Sequence, residues 1–536
     1  MTLMTRVHLI ASGDQREAAN RTCWPAQADL ERRLEAAFRS RGVELVRAHP
    51  VDDGAGHGFI ASQRQGLDVI RAVPSGEPVL VAVAAWQYSH HVVSGLLGHD
   101  GPVLTVANWS GTWPGLVGLL NLNASLLKAG REYSTLWSLD FQDEAAGRWI
   151  DEWVRSGNVS HDLTHVRSFA EVRASTDARS EGQAVATDLR RRGVIIGVFD
   201  EGCMGMSNAI IDDVLLNPLG IFKERLSQSA LLAEMREVSA ADATAVITWL
   251  RAQGMRFETG PTEAEHLTED QLIDQARMYV AALRIADRFG CDAVGIQYQQ
   301  GLKDMAPASD LVEGLLNDPN RPPAHRGDGS VIRPGRSLPH FNEVDECAAV
   351  DALVTDEVWR RLDLDPATTL HDLRWGEEYE VDGERVFLWT LQISGAVPAA
   401  HIDGGYAGAI GYRQPAMYFP RGGSTLSGTC KPGEIVWSRV YQRGGELHVD
   451  IGRGRAVRVS EAENARRRRE TTYQWPIMHT VLDGVSRDQM MARHASNHIQ
   501  VAYAPTREAA RRAFEVKAAA FDALGIRVHV CGEVGG

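Results

Sequence analysis

Along the first third of the chain, apolar residues come in short unbroken runs separated by stretches with helical spacing. Arg6 opens a first strand that ends in the loop at Gly13. Gln63 to Val73 predicts a helix, Pro78 to Ala85 a strand apolar throughout, Pro102 to Ala107 another, and Gly115 to Ala129 a helix. Strands that are apolar at every position are buried on both faces, as in a parallel sheet covered by helices on each side. The polar run RASTDARSEG, residues 173–182, reads as a linker.

The middle third repeats the style without repeating the sequence. Val194 to Phe199 predicts a strand, and Thr268 with Gln271 forms a capping box ahead of a long apolar-faced helix ending near Gly290. A strand follows at Asp292 to Gln297 and opens into a polar loop, where open α/β sheets bind ligands. From about Leu373 the pattern changes to hairpins: Glu378 to Val381 with Val386 to Ile393, then Glu434 to Tyr441 with Leu447 to Ile451. A helix over Thr506 to Leu524 and a strand over Arg527 to Cys531 close the chain. The fold class predicted is α/β: two N-terminal doubly wound α/β domains (1–175 and 176–355) and a β-rich, barrel-like C-terminal domain (356–536). The basic run Arg466 to Arg469, flanked by Glu461, Glu463 and Glu470, reads as a solvated face.

Composition narrows the function. The 536 residues, 44% hydrophobic and 24% charged, are those of a folded protein, and 56 basic against 70 acidic side chains leave a formal charge of −14. That balance disfavours nucleic acid or an anionic membrane as main partner, since both need clustered Lys and Arg. Apolar runs such as PVLVAVAAW are far short of the ~20 residues of a membrane span. The opening MTLMTRVHLIASGD, interrupted by Arg6 and His8, does not read as a signal peptide. Six scattered cysteines with no CxxC pair fit reduced thiols, so a cytoplasmic enzyme is the expectation.

Three polar clusters carry candidate chemistry. PHFNEVDECAAVDA supplies Glu343, Asp345 and Glu346 at the start of a helix, where the helix dipole by itself also favours acids. LHDLRWGEEYE supplies His371, Asp372 and Arg374; RHASNHIQVAY supplies His494, Asn497 and His498. A lone histidine beside a strand is commonly structural. Together, two carboxylates and an imidazole suit Mn²⁺ or a similar octahedral cation. Such an ion polarises a sugar carbonyl, and a carboxylate then moves the acidified proton between adjacent carbons. Trp86 offers a stacking face for a sugar or a core residue, and the amides of GIQYQQG (Gln297, Gln299, Gln300) suit hydroxyls or solvent. GCMGMSNAIIDD lacks the spacing of a dinucleotide-binding loop, and no GxSxG, HExxH or Walker sequence appears.

The order of these segments resembles the L-fucose isomerase family of the L-fucose/L-arabinose isomerase superfamily. The resemblance rests on the Trp86 strand end, DAVGIQYQQ, ASDLVEGLLN, NEVDE, LHDLRW, YFPRGGS, KPGEIVWSRV and SNHIQVAY, and is best from about Asp292 onward. It implies that Glu343 and Asp372 bind the metal and act as acid and base, and that His498 is the third ligand. It further implies that Gln297, Gln299 and Asn497 contact substrate, that Trp86 reaches a neighbouring subunit's site, and that the chain forms a homo-oligomer, a hexamer in that family. The expected activity is interconversion of an aldose such as L-fucose or D-arabinose with its ketose through an enediol. The residue after His498 is Ile where the family has a small one, which bears on the sugar more than on the reaction. A sugar-binding relative without turnover, or an enzyme for a different polyol, is the alternative.

Overall fold

The computed structural model describes residues 4–533 other than Arg173 and Cys203. One of the six cysteines and one end of the expected linker therefore lie outside the described residues. The first sheet contains β1 (Arg6–Ile10), β2 (Glu44–Arg47), β3 (Val79–Val83), β4 (Val103–Asn108) and β5 (Ser134–Ser138), all parallel, in the order β2-β1-β3-β4-β5. Every residue of β3 is buried, as its unbroken apolar run requires. The strand order reverses between β1 and β3. Loops leaving the carboxyl ends of that strand pair form a crevice, and they carry Arg16 and Trp86.

Next come β6 (Val166–Ser168), β7 (Val194–Phe199), β8 (Ile221–Leu226), β9 (Arg256–Phe257) and β10 (Ala293–Ile296). The second sheet has three parallel strands in the order β10-β7-β8, so its carboxyl edge presents the loop after Phe199 beside Gln297. The long helix predicted after Thr268 runs over Glu269–Phe289, with the Thr268 hydroxyl accepting from the Gln271 amide at 3.3 Å and Gly290 closing it at φ 66°. The expected linker is instead mostly helix. Ser175 caps a helix over Thr176–Arg192, whose buried residues Ala178, Gly182, Val185, Ala186 and Leu189 pack toward the C-terminal helix Arg507–Leu524. A Cβ at Gly182 would overlap Ala519, so the small residues that looked like linker composition are what lets the two helices approach.

The remaining strands are β11 (Thr368–Val381), β12 (Glu384–Gln392), β13 (Ile410–Gly411), β14 (Gly433–Arg443), β15 (Glu446–Ala456), β16 (Ile477–Leu482), β17 (His498–Ala504) and β18 (Arg527–Cys531). Both predicted hairpins form, as β11–β12 and β14–β15. The order β14-β17-β11-β12-β16-β15, with β15 pairing back onto β14, closes a six-stranded barrel. β18 joins β15 in parallel, and β6, from the chain's first third, pairs onto β18. The basic run is solvated only in part: Arg469 is exposed and Arg466 half-buried, but the two arginines between them are not. Arg467 is fully buried against the Leu388 carbonyl and the Thr390 hydroxyl, each at 3.1 Å, and Arg468 is 9% exposed. Both lie on the helix Glu461–Glu470, where carbonyls and Glu463 satisfy their guanidiniums. No helix among the described residues is long and apolar enough to cross a membrane.

Candidate active site

Two of the three expected ligands meet through strand register. On β11 Asp372 stands directly opposite His498, the first residue of β17, so backbone pairing between residues 126 apart sets the two side chains together. β11 bulges between Leu373 and Trp375, leaving Arg374 as the extra residue. The bulge turns Arg374 toward the first sheet. Its buried guanidinium donates to the carbonyls of Gly111 (2.8 Å) and Thr112 (3.1 Å) and so ties the barrel to the loop that follows β4.

Glu343 arrives by another route. The turn Asn342–Val344 follows Phe341, whose amide bonds the Val294 carbonyl of β10 at 3.0 Å. Gly295 on that strand is obligatory, because a Cβ there would overlap the Phe341 ring. Glu343 and Val344 are both in the left-handed region, at φ 58° and 55°. Such a conformation costs ~1–3 kcal/mol per residue, and for β-branched Val344 it is a true outlier. Asp345 then restores regular structure, its Oδ1 accepting from the Ala348 amide at 2.9 Å as cap of the helix Glu346–Arg361. Glu346, grouped with Glu343 by sequence, turns away and pairs with Lys223 at 2.8 Å.

The three side chains converge on one atom. His498 Nε2 lies 3.5 Å from Glu343 Oε2 and 3.6 Å from Asp372 Oδ1, is buried, and makes no hydrogen bond. Nδ1 of the same ring is 2.7 Å from Asp345 Oδ2, which also accepts from Arg439 Nη1 at 2.5 Å. Burial would discharge His498, but Asp345, Glu343 and Asp372 together push its pKa up to about 9. For Asp345, burial acts upward and is overcome by Arg439 and His498, which hold it at about 2. Burial, helped by Glu343, pushes Asp372 up to about 7 against the pull of His498 and Arg374. Three carboxylates thus surround one imidazole.

As they stand, no three His, Cys, Asp or Glu side chains among the described residues are placed to hold a metal ion. Ligand atoms ~2.1–2.4 Å from an octahedral ion sit ~3.0–3.4 Å from their neighbours. The two distances to Nε2, 3.5 and 3.6 Å, exceed that by a few tenths of an ångström. The orphaned buried Nε2, the oxygen and nitrogen donor set and the anchored Nδ1 all fit a hard divalent cation.

Glu343 and Asp372 also line a cavity of about 30 Å³ with Arg16, Trp86, Met204, Ser394, Tyr418 and Trp475. Trp86 stands on the wall of this cavity in its own chain. Asn497 Nδ2 is 3.3 Å from Asp372 Oδ1. Gln297 and Gln299 are not in this cavity. They line a second one of about 210 Å³, with Tyr88, His90 and Gln300, and Met204 lines both. Their amides are engaged in holding the site: Gln297 donates to the Gly202 carbonyl and accepts from the Gln299 amide at 2.9 Å, and Gln299 Oε1 accepts from Arg16 at 2.8 Å.

Sequence reasoning passed over Arg16, Ser394, Tyr418 and Trp475, and it counted Asp345 only as one of three acids at the start of a helix. Arg16 was findable, since it lies just past the first strand at the reversal of strand order. Its guanidinium pairs with Asp14 (2.6 Å) and lies over the Tyr418 ring at 4.7 Å. Tyr418 belongs to the quoted YFPRGGS turn. Ser394 and Trp475 carry no local signal.

Residues 410–528, about a fifth of the chain, match the L-fucose isomerase C-terminal domain family. No curated protein matches the chain. The matched segment contains Tyr418, Trp475, Asn497 and His498, so the likeness to that family is shown for the C-terminal region.

Proposed function

With a C-terminal region of the L-fucose isomerase family as the premise, we propose that this protein is a cation-dependent aldose–ketose isomerase acting on L-fucose, D-arabinose or a related sugar. The observation that carries the reading is the convergence of Glu343 and Asp372 on the orphaned Nε2 of His498 at the wall of a buried cavity. A divalent cation such as Mn²⁺, held by Glu343, Asp372 and His498, would supply Lewis-acid polarisation of the sugar carbonyl.

The chain's own groups do the rest. Moving a proton between C1 and C2 through an enediol needs a carboxylate that takes it and a group that returns it. Asp372 and Glu343, both on the cavity wall and both beside His498, are placed to take and return that proton across the substrate. Trp86 and Trp475 offer apolar faces to the carbon skeleton, and the Ser394 hydroxyl and Arg16 offer donors to its oxygens. A cavity of about 30 Å³ holds water rather than a sugar. Withdrawal of the Met204 side chain would join it to the amide-lined chamber and admit an open-chain sugar. The five described cysteines are unpaired and buried, in keeping with a reducing, cytoplasmic setting. A homo-oligomer, a hexamer in the family resembled, belongs to the same proposal.

The test is to strip the protein with chelator, restore Mn²⁺, and assay ketose formation from L-fucose, D-arabinose and related aldoses. Metal-dependent ketose that disappears in Glu343→Gln supports the reading. Absence of ketose from every sugar with Mn²⁺ bound favours the sugar-binding relative instead.

A further inference from the structure

The loop from Glu343 to Asp345 does two things at once. Its first residue sends a carboxylate to one nitrogen of the His498 ring, and its last sends a carboxylate to the other. Residues two apart reach opposite nitrogens of one imidazole only because the backbone between them reverses through the left-handed conformations of Glu343 and Val344. Asp345 is fixed from three sides. Oδ1 caps the helix Glu346–Arg361, and Oδ2 accepts from both Arg439 and His498. All three residues are buried, with 0% exposure for Asp345 and His498 and 1% for Arg439.

We propose that Asp345, braced by Arg439, is a positioning residue that holds the His498 ring with Nδ1 as donor and Nε2 turned to Glu343 and Asp372. The inference rests on the cation-binding reading of that site and extends it: the NEVD loop supplies both a ligand and the group that orients another ligand. Carboxylates that accept from the far nitrogen of a ligating histidine fix its orientation, and losing one lowers metal affinity ~10–100-fold. Arg439 keeps Asp345 ionised, so that it accepts and does not compete as a donor. The strained Val344 persists because these buried contacts over-determine the turn.

The experiment uses the full chain with ¹⁵N-labelled histidine and the variants Asp345→Asn and Asp345→Asn/Arg439→Met. Asparagine preserves the helix cap, and the double variant removes the buried pair together, so that Arg439 is not left unpaired. In metal-free wild type, one far-downfield imidazole N–H proton should correlate with His498 Nδ1, persist in Glu343→Gln and vanish in Asp345→Asn. Titration with Mn²⁺, read by the signal of the free ion, should show 10–100-fold weaker binding in whichever Asp345 variant retains the wild-type circular dichroism. No such resonance in wild type, or a folded variant binding within twofold of wild type, overturns the proposal. If wild type shows the resonance yet binds no Mn²⁺, the cation reading fails and Asp345's hold on the ring stands.

Discussion

The cation-free protein should lose stability as pH rises through the titration of His498, and the size of that loss follows from its surroundings. The ring lies 2.7 Å from one carboxylate and 3.5 and 3.6 Å from two others, which lifts its folded pKa from 6.5 to about 9. A raised pKa means the folded state binds the proton more tightly than the unfolded chain. The stabilisation is therefore complete below pH 6.5 and disappears as pH rises through about 9. At 1.36 kcal/mol per pH unit this is about 3 kcal/mol, an order-of-magnitude value because Asp372 gives up its proton in an overlapping range. Urea denaturation of chelated protein, followed by circular dichroism from pH 5.5 to 9.5, measures it against His498→Gln. The wild-type advantage should shrink by about 3 kcal/mol across that range. With Mn²⁺ present the trend should reverse, because the cation takes the place of the proton. A wild-type-minus-variant difference that stays flat with pH would refute the charge assignment.

Other expectations follow from the same geometry. Gly295→Ala puts a methyl group into the Phe341 ring and should cost ~1–3 kcal/mol in urea denaturation while weakening Mn²⁺ binding, since Phe341 leads directly into the Glu343 turn. Arg374→Met leaves the Gly111 and Thr112 carbonyls without their donor and should destabilise by about 2–5 kcal/mol, measured calorimetrically; an unchanged melting temperature would show that the bulge does not tie the barrel to the first sheet. Met204→Ala shortens a side chain that lines both cavities and should raise the rate of sugar association in stopped-flow fluorescence of the cavity tryptophans; a slower or unchanged rate would exclude Met204 as a barrier.

What the sequence by itself determined is what local physics determines. Unbroken apolar runs gave β3 and β4, the Thr268 cap gave the helix that follows it, and paired short runs gave the two long hairpins. Residue type marked Glu343, Asp372 and His498 as candidates, and the family resemblance joined them. Composition misled at 176–182, where polar and small residues belong to a packed helix, and at Arg466 to Arg469, where Arg467 is sealed against the barrel. Both errors share a cause: whether a polar face is solvated depends on what packs against it, which no window of sequence contains.

Only the tertiary structure decided how the site is assembled. The β11–β17 register places Asp372 opposite His498, and slipping it by one residue would turn one of them to the other side of the sheet. The left-handed pair at Glu343 and Val344 has no glycine to announce it, because the strain is imposed by the buried Asp345, Arg439 and His498 contacts rather than preferred by the residues. Arg16 and Trp86 enter the same cavity from the reversal of strand order in a different sheet. Residue types are local properties, whereas distances between carboxylates, imidazole and aromatic walls are set by strand pairing and packing across hundreds of residues.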